Sequence, residues 1–188
     1  MSNPRILAFA GSTRKESFNR KLLTVAVELA RQADLDVEHI ELADFPLPFM
    51  DEDLEAERGQ PENATALRRL MLDADAFMLA CPEYNSSITP LMKNVIDWCS
   101  RKESGGGDLS PYSDKNALLL GASPGRSGGK RSVETVRSIL GNIGVEVFDK
   151  EFTLPGAGDA FDDLGQLRDV EMVDALKAIV KAFSDSIR

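Results

Sequence analysis

The sequence predicts an α/β fold: a three-layer sandwich in which five parallel strands, in the order 2-1-3-4-5, carry helices on both faces. Two observations carry this expectation. Five short apolar or β-branched runs alternate along the chain with five stretches of three- and four-residue apolar spacing. Two of the runs, Ile6-Leu7-Ala8-Phe9-Ala10 and Ala76-Phe77-Met78-Leu79-Ala80, are apolar throughout, as strands buried between two layers are. With 188 residues and neither an internal repeat nor a linker, one domain spanning 1–188 is expected.

The elements follow in order. After the first strand comes a turn at Gly11, then a helix in which Leu22, Leu23, Ala26, Leu29, Ala30 and Ala33 recur at helical spacing. Residues 37–42 read as a short second strand. Residues 44–61 read as a long irregular stretch, punctuated by Pro46, Pro48, Gly59 and Pro61, of the kind that serves function or an interface. A helix over 62–73 places Ala66, Leu67, Leu70 and Met71 on one face and leads into the third strand at 76–80. Residues 90–99 form the next helix, with Pro90 well placed in its first turn. Gly105-Gly106-Gly107 mark 101–114 as a flexible loop. The fourth strand is 117–121, a helix covers 130–140, and the fifth strand is 145–148. An irregular stretch over 153–163 precedes a closing helix over 164–187.

Composition excludes several classes of function. A hydrophobic fraction of 43% and a charged fraction of 28% are ordinary for a soluble globular protein. A net charge of −9 argues against non-specific binding to nucleic acid or an anionic membrane. No apolar run approaches the length of a membrane span, and the N-terminus lacks signal-peptide architecture, so no membrane insertion and a cytoplasmic location are expected. Cys81 and Cys99 show no metal-type spacing and read as small buried hydrophobes. His39 is the single histidine, which removes Ser-His-Asp hydrolysis and His-rich metal sites.

The loop after the first strand holds the strongest functional signal. A strand, a Gly turn and a hydroxyl-rich helix start bring free N–H groups and the positive end of a helix dipole to one place, which suits a phosphate. Gly11, Ser12, Arg14, Ser17, Phe18 and Asn19 lie there, with Ser12, Ser17 and Asn19 as neutral donors and Arg14 as a charged fork. One N-cap needs one residue; this loop supplies four polar groups.

In parallel sheets ligands bind at the carboxyl ends of strands beside the switch in strand order, here between strands one and three. The loop after strand three, Cys81-Pro82-Glu83-Tyr84-Asn85-Ser86-Ser87, is therefore expected beside the first, the N–H groups of Glu83, Tyr84 and Asn85 facing a flat polar heterocycle. Ser87 or Thr89 caps the helix that follows. The loop after strand four, from Gly121 to Ser132, carries glycines for close approach or tight turns. It fails as a nucleotide-binding Walker loop, because Pro124 replaces the first Gly and Arg131 follows Lys130.

Taken together these loops resemble the NADPH-dependent FMN reductase family of flavodoxin-like proteins, nearest its soluble quinone, chromate and azo-dye reductases. The family pattern Gly-Ser-x-Arg-x-x-Ser-x-Asn is matched by Gly11, Ser12, Arg14, Ser17 and Asn19. Pro-Glu-Tyr-Asn, a Ser, a Pro and Lys-Asn-x-Ile-Asp-Trp are matched by Pro82 to Asn85, Ser87, Pro90, Lys93, Asn94, Ile96, Asp97 and Trp98. Ser123, Gly125, Gly128 and Gly129 resemble its third loop. Residues 86–90 depart from relatives that carry an aromatic after the Asn and a Gly-rich stretch near the Pro.

The resemblance implies bound FMN, its phosphate held by Ser12, Arg14, Ser17 and Asn19, its ring met by Pro82, Glu83, Tyr84, Asn85 and Ser87, with Ser123 from the third loop. It implies a ping-pong reaction in which NADPH or NADH gives hydride to the flavin and a quinone, chromate, azo or nitro compound or free flavin then takes the electrons. The cofactor carries the hard step, so no catalytic side chain is needed. A one-electron flavodoxin carrier is the alternative; such carriers lack Arg14 and sandwich their flavin between aromatics. A phosphatase needs a Cys nucleophile where Gly11 stands. A homodimer or homotetramer is expected, because residues 45–50 are too apolar for a free loop and Leu91, Val95 and Cys99 supply a helical stripe.

Overall fold

A computed structural model describes residues 3–187. Strand β1 (Arg5–Ala10) lies between β2 (Asp36–His39) and β3 (Ala76–Ala80), and β3 pairs with β6 (Lys115–Ala122), all in parallel. The far edge of β6 is shared by β7 (Val145–Val147) and β8 (Phe152–Leu154). The sheet thus has six strands rather than the five expected, although the order β2-β1-β3-β6-β7 is the 2-1-3-4-5 arrangement with the last position split. Ala117 of β6 faces Val147 and Leu120 faces Phe152, so the partner edge carries extra residues that leave the ladder. Arg137 occupies the gap, donating through Nη1 to the Phe148 carbonyl at 2.8 Å and pairing with Glu151 at 2.9 Å.

Each sheet face has its own core. Ala76, Met78 and Ala80 of β3 point to the side covered by α1 (Phe18–Gln32) and α6 (Val170–Ser186). Phe77 and Leu79 point to the other, covered by α3 (Glu62–Asp73), α4 (Pro90–Cys99) and α5 (Lys130–Asn142). This alternation on a strand with no exposed residue explains its unbroken apolar sequence. Deleting a large side chain here, such as Leu79→Ala, removes packing worth about 2–5 kcal/mol.

Three local expectations are corrected. Residues 44–61 are not wholly irregular, because α2 (Glu52–Arg58) forms within them. Asp51 caps it by accepting from the N–H groups of Asp53 and Leu54, Glu52 and Asp53 favour its positive end, and Gly59 ends it at φ +77°. The closing helix starts at Val170, where Asp169 accepts from the Glu171 N–H, and not at 164. Val95 and Cys99 are buried in the core beneath α4 and offer no stripe to a partner.

The stretch before α2 is bound to α4. Asn94 accepts from the Met50 N–H at 2.7 Å and donates to the Pro48 carbonyl at 2.8 Å, and the Trp98 indole N–H donates to that same carbonyl at 2.9 Å. Phe45 and Leu47 pack on the core, while Phe49 is left 78% exposed.

Candidate functional site

Three loops converge at the carboxyl ends of β1, β3 and β6. Gly11 joins the first two. Its N–H donates to the Ala80 carbonyl at 2.9 Å and its carbonyl accepts from the Thr89 hydroxyl at 2.8 Å. Thr89 also accepts from the Met92 N–H, so it is the cap of α4 and Ser87 is not. A Cβ at Gly11 would lie 3.0 Å from Met92 and 3.2 Å from Pro82. The glycine is needed because the neighbouring loop packs against it.

Beyond Gly11 the chain presents unspent donors. Ser17 stands at the N-cap of α1, yet its hydroxyl makes no capping bond, and no acidic residue occupies the first turn. Plain capping therefore does not account for this loop. The Arg14 guanidinium lies 5.5 Å from the centre of the Phe18 ring and forms no ion pair among the described residues. Phe18 in turn stacks on Phe161, with centroids 6.5 Å apart and planes at 4°. Ser12 is buried, and its Oγ accepts from the Arg14 N–H at 3.3 Å. Asn19 behaves differently from expectation: its Nδ2 donates to the Ala122 carbonyl at 2.8 Å and its Oδ1 accepts from the Ala122 N–H at 3.0 Å. That side chain is engaged in fastening α1 to the end of β6.

The second loop is a small hairpin of β4 (Glu83–Tyr84) and β5 (Ser87–Ile88), not an open turn. Asn85 and Ser86 sit at its tip with φ +50° and +68°, the signs a two-residue I′-type turn requires and which Asn tolerates. The Pro82 carbonyl accepts from the buried Ser132 hydroxyl at 2.8 Å. The Glu83 carboxylate accepts from the Arg131 N–H and from its guanidinium, both at 3.2 Å. Tyr84 is 55% exposed.

In the third loop Ser123 Oγ accepts from the Gly125 N–H at 3.1 Å. Gly128 here serves the fold: a Cβ on it, where φ is +60°, would come within 2.8 Å of the Pro155 nitrogen.

The loops enclose a cleft of about 150 Å³ lined by Ser12, Arg14, Ser17, Phe18, Asn19, Pro82, Glu83, Tyr84 and Ser123 of the sequence-predicted set. Gly11, Asn85 and Ser87 stand outside this lining, while Ala122 and Pro124 join it unforeseen. Ala122 is signalled in the sequence only by its neighbour Ser123. Wider hollows of about 410 Å³ between α1 and α6 and about 460 Å³ beside Arg101 lie among charged side chains away from the strand ends. Position and donor chemistry favour the smaller cleft.

Titratable groups elsewhere add no chemistry to it. His39 sits in β2, and burial pushes its imidazole below the usual range. Cys81 is free and fully buried beside Pro82, and burial drives its thiol far upward, away from the reactive thiolate.

The family model for NADPH-dependent FMN reductases matches residues 4–159. The chain belongs to this family. It is 35% identical over 183 residues to an NAD(P)H:quinone oxidoreductase of Solanum tuberosum, covering 95% of this chain and 90% of the relative. An NAD(P)H-dependent FMN reductase of Pseudomonas aeruginosa is 34% identical over 186 residues, covering 98% and 95%. Among solved structures, FerB, a flavoenzyme NAD(P)H:(acceptor) oxidoreductase from Paracoccus denitrificans, superimposes with a TM-score of 0.83 at 29% identity, covering 98% of this chain and 97% of that one. This protein is thus a flavodoxin-like, FMN-dependent oxidoreductase.

Proposed function

We propose that this single domain oxidises NADPH or NADH and reduces a quinone or similar small acceptor, with FMN held in the three-loop cleft. The observation that carries the site assignment is the unspent donor set at the head of α1. A helix whose first turn holds no acidic residue, an uncommitted Ser17 hydroxyl and an Arg14 that makes no ion pair among the described residues form a receptor for the FMN phosphate. The residues present fit the cofactor. When bound, FMN supplies two-electron chemistry between a nicotinamide and an acceptor.

The chain's own residues bind and orient. Ser12, Arg14 and Ser17 receive the phosphate, while Gly11 and Asn19 hold that loop against its neighbours. Phe18, braced by Phe161, closes one wall. Pro82 and Glu83 are fixed from beneath by Ser132 and Arg131, so the hairpin presents Tyr84 to the cleft as a firm platform for the ring, with Asn85 and Ser87 outside the lining. Ser123 closes the remaining side. A platform set before the reaction costs little reorganisation during it.

Phe49, held in place from both flanking residues yet exposed, favours a homodimer or homotetramer. Two free, buried cysteines suit a reducing cytoplasm. No described helix is long and apolar enough to cross a membrane. The decisive experiment is the visible spectrum of purified protein and its anaerobic bleaching by NADPH or NADH. Colourless protein that takes up no added FMN would overturn the site. Sedimentation of a monomer at micromolar concentration would overturn the oligomer.

A further inference from the structure

The first loop accounts for one anion, but a nicotinamide dinucleotide brings phosphates of its own. The chain's net charge of −9 repels such a substrate, so a local cation must receive it. Three basic side chains lie along the third loop and the start of α5. Arg131 is engaged by Glu83 at 3.2 Å, and Lys130 stands 3.9 Å from Glu134. Arg126 forms no ion pair among the described residues and is exposed.

The turn beneath it is fixed. Gly125 donates its N–H to Ser123 Oγ at 3.1 Å and accepts through its carbonyl from the N–H groups of Gly128 and Gly156, both at 3.4 Å. Ser123 is itself tied to the Leu154 carbonyl at 3.1 Å. Ser123 and Pro124 of the same loop line the cleft, and Arg126 stands two residues beyond Pro124, exposed and outside that lining. The bonded turn fixes the backbone from which this guanidinium reaches, and its planar fork fits a phosphate.

We propose that Arg126 receives a phosphate of the incoming nicotinamide dinucleotide and so governs the KM for that substrate. The inference rests on the hydride-donor reading above. In the FMN-loaded protein, Arg126→Ala is expected to raise the KM for the dinucleotide roughly tenfold, the usual worth of a charge-assisted contact. The kcat, the KM for a simple quinone and FMN retention stay unchanged. Binding of NADP+ to the oxidised protein, measured by calorimetry, weakens by the same factor, and Arg126→Lys recovers part of the loss. Lys15→Ala, which removes an exposed cation from the first loop, leaves these values as they were. An effect confined to NADPH assigns the contact to its 2′-phosphate, and an effect shared with NADH assigns it to the diphosphate; either supports the proposal. An unchanged KM for both dinucleotides, or an equal rise in Lys15→Ala, overturns it. Wild-type protein that oxidises neither dinucleotide would instead refute the underlying enzyme reading, before any variant is made.

Discussion

Asn19 and Ala122 exchange two hydrogen bonds between the start of α1 and the end of β6, with both residues almost wholly buried. The side-chain amide imitates a strand neighbour and satisfies both backbone groups of a residue at the end of β6. The start of α1 and the root of the third loop therefore keep a fixed spacing.

Replacing Asn19 by Ala strands a buried N–H and a buried carbonyl. The expected loss is about 2–4 kcal/mol of unfolding free energy, from two groups at roughly 1–3 kcal/mol each with partial rescue by water. Urea denaturation of the FMN-free protein measures it. FMN affinity should fall as well, because the loops lose their spacing. An Asn19→Ala protein of unchanged stability would remove the fastening role.

Arg14→Ala separates binding from folding. The guanidinium rests over Phe18 and forms no ion pair, so its loss costs the fold little. The dissociation constant for FMN should rise roughly ten- to a hundredfold, the value of a charge-assisted phosphate contact. Arg14→Lys should recover part of this, since it restores charge without the fork. Fluorescence titration of the apoprotein with FMN reads both, and unchanged affinity would strike Arg14 from the site.

Much of this arrangement was legible in the sequence, for identifiable reasons. Buried parallel strands leave unbroken apolar runs, so β1, β3 and β6 stand out, and a ligand site at their carboxyl ends follows from topology. The partnerships were not legible. That Asn19 faces Ala122 rather than a phosphate depends on where a distant strand ends. The division of the last strand into β7 and β8 depends on Arg137 filling the gap between them. The helix α2 had its local signals, Asp51 and Gly59, but the prolines around it outweighed them.

Glu83 illustrates the same point and yields another prediction. Gly129, the N-cap of α5, has no side chain to satisfy the helix, and Glu83 reaches from the hairpin to accept the Arg131 N–H instead. Glu83→Gln keeps a neutral acceptor, so stability should drop by only about 1 kcal/mol and FMN affinity by less than about threefold. Glu83→Ala removes the acceptor and should loosen the hairpin further. A large loss of affinity in the Gln variant would show that the carboxylate charge itself acts on the ligand.

Stability should fall at alkaline pH through three buried groups. Burial drives the thiol of Cys81 far above its ordinary range and that of Cys99 up to about 12, and it raises the phenol of Tyr112, whose hydroxyl donates to the Ile96 carbonyl at 3.1 Å. All three are neutral in the folded protein. In the unfolded chain the thiols ionise near 9.0, and the phenol near 10.0. Below that range both states hold the same protons, and stability is insensitive to these groups. Above it the unfolded chain releases protons that the folded chain keeps, so the equilibrium moves toward unfolding by up to about 1.4 kcal/mol per pH unit for each group. The urea midpoint should therefore hold steady from pH 7 to 8 and decline from pH 9 to 11. A thiol reagent at pH 8 should label the native protein no faster than it unfolds. Prompt labelling of either cysteine in the folded state would contradict the burial that keeps both thiols protonated.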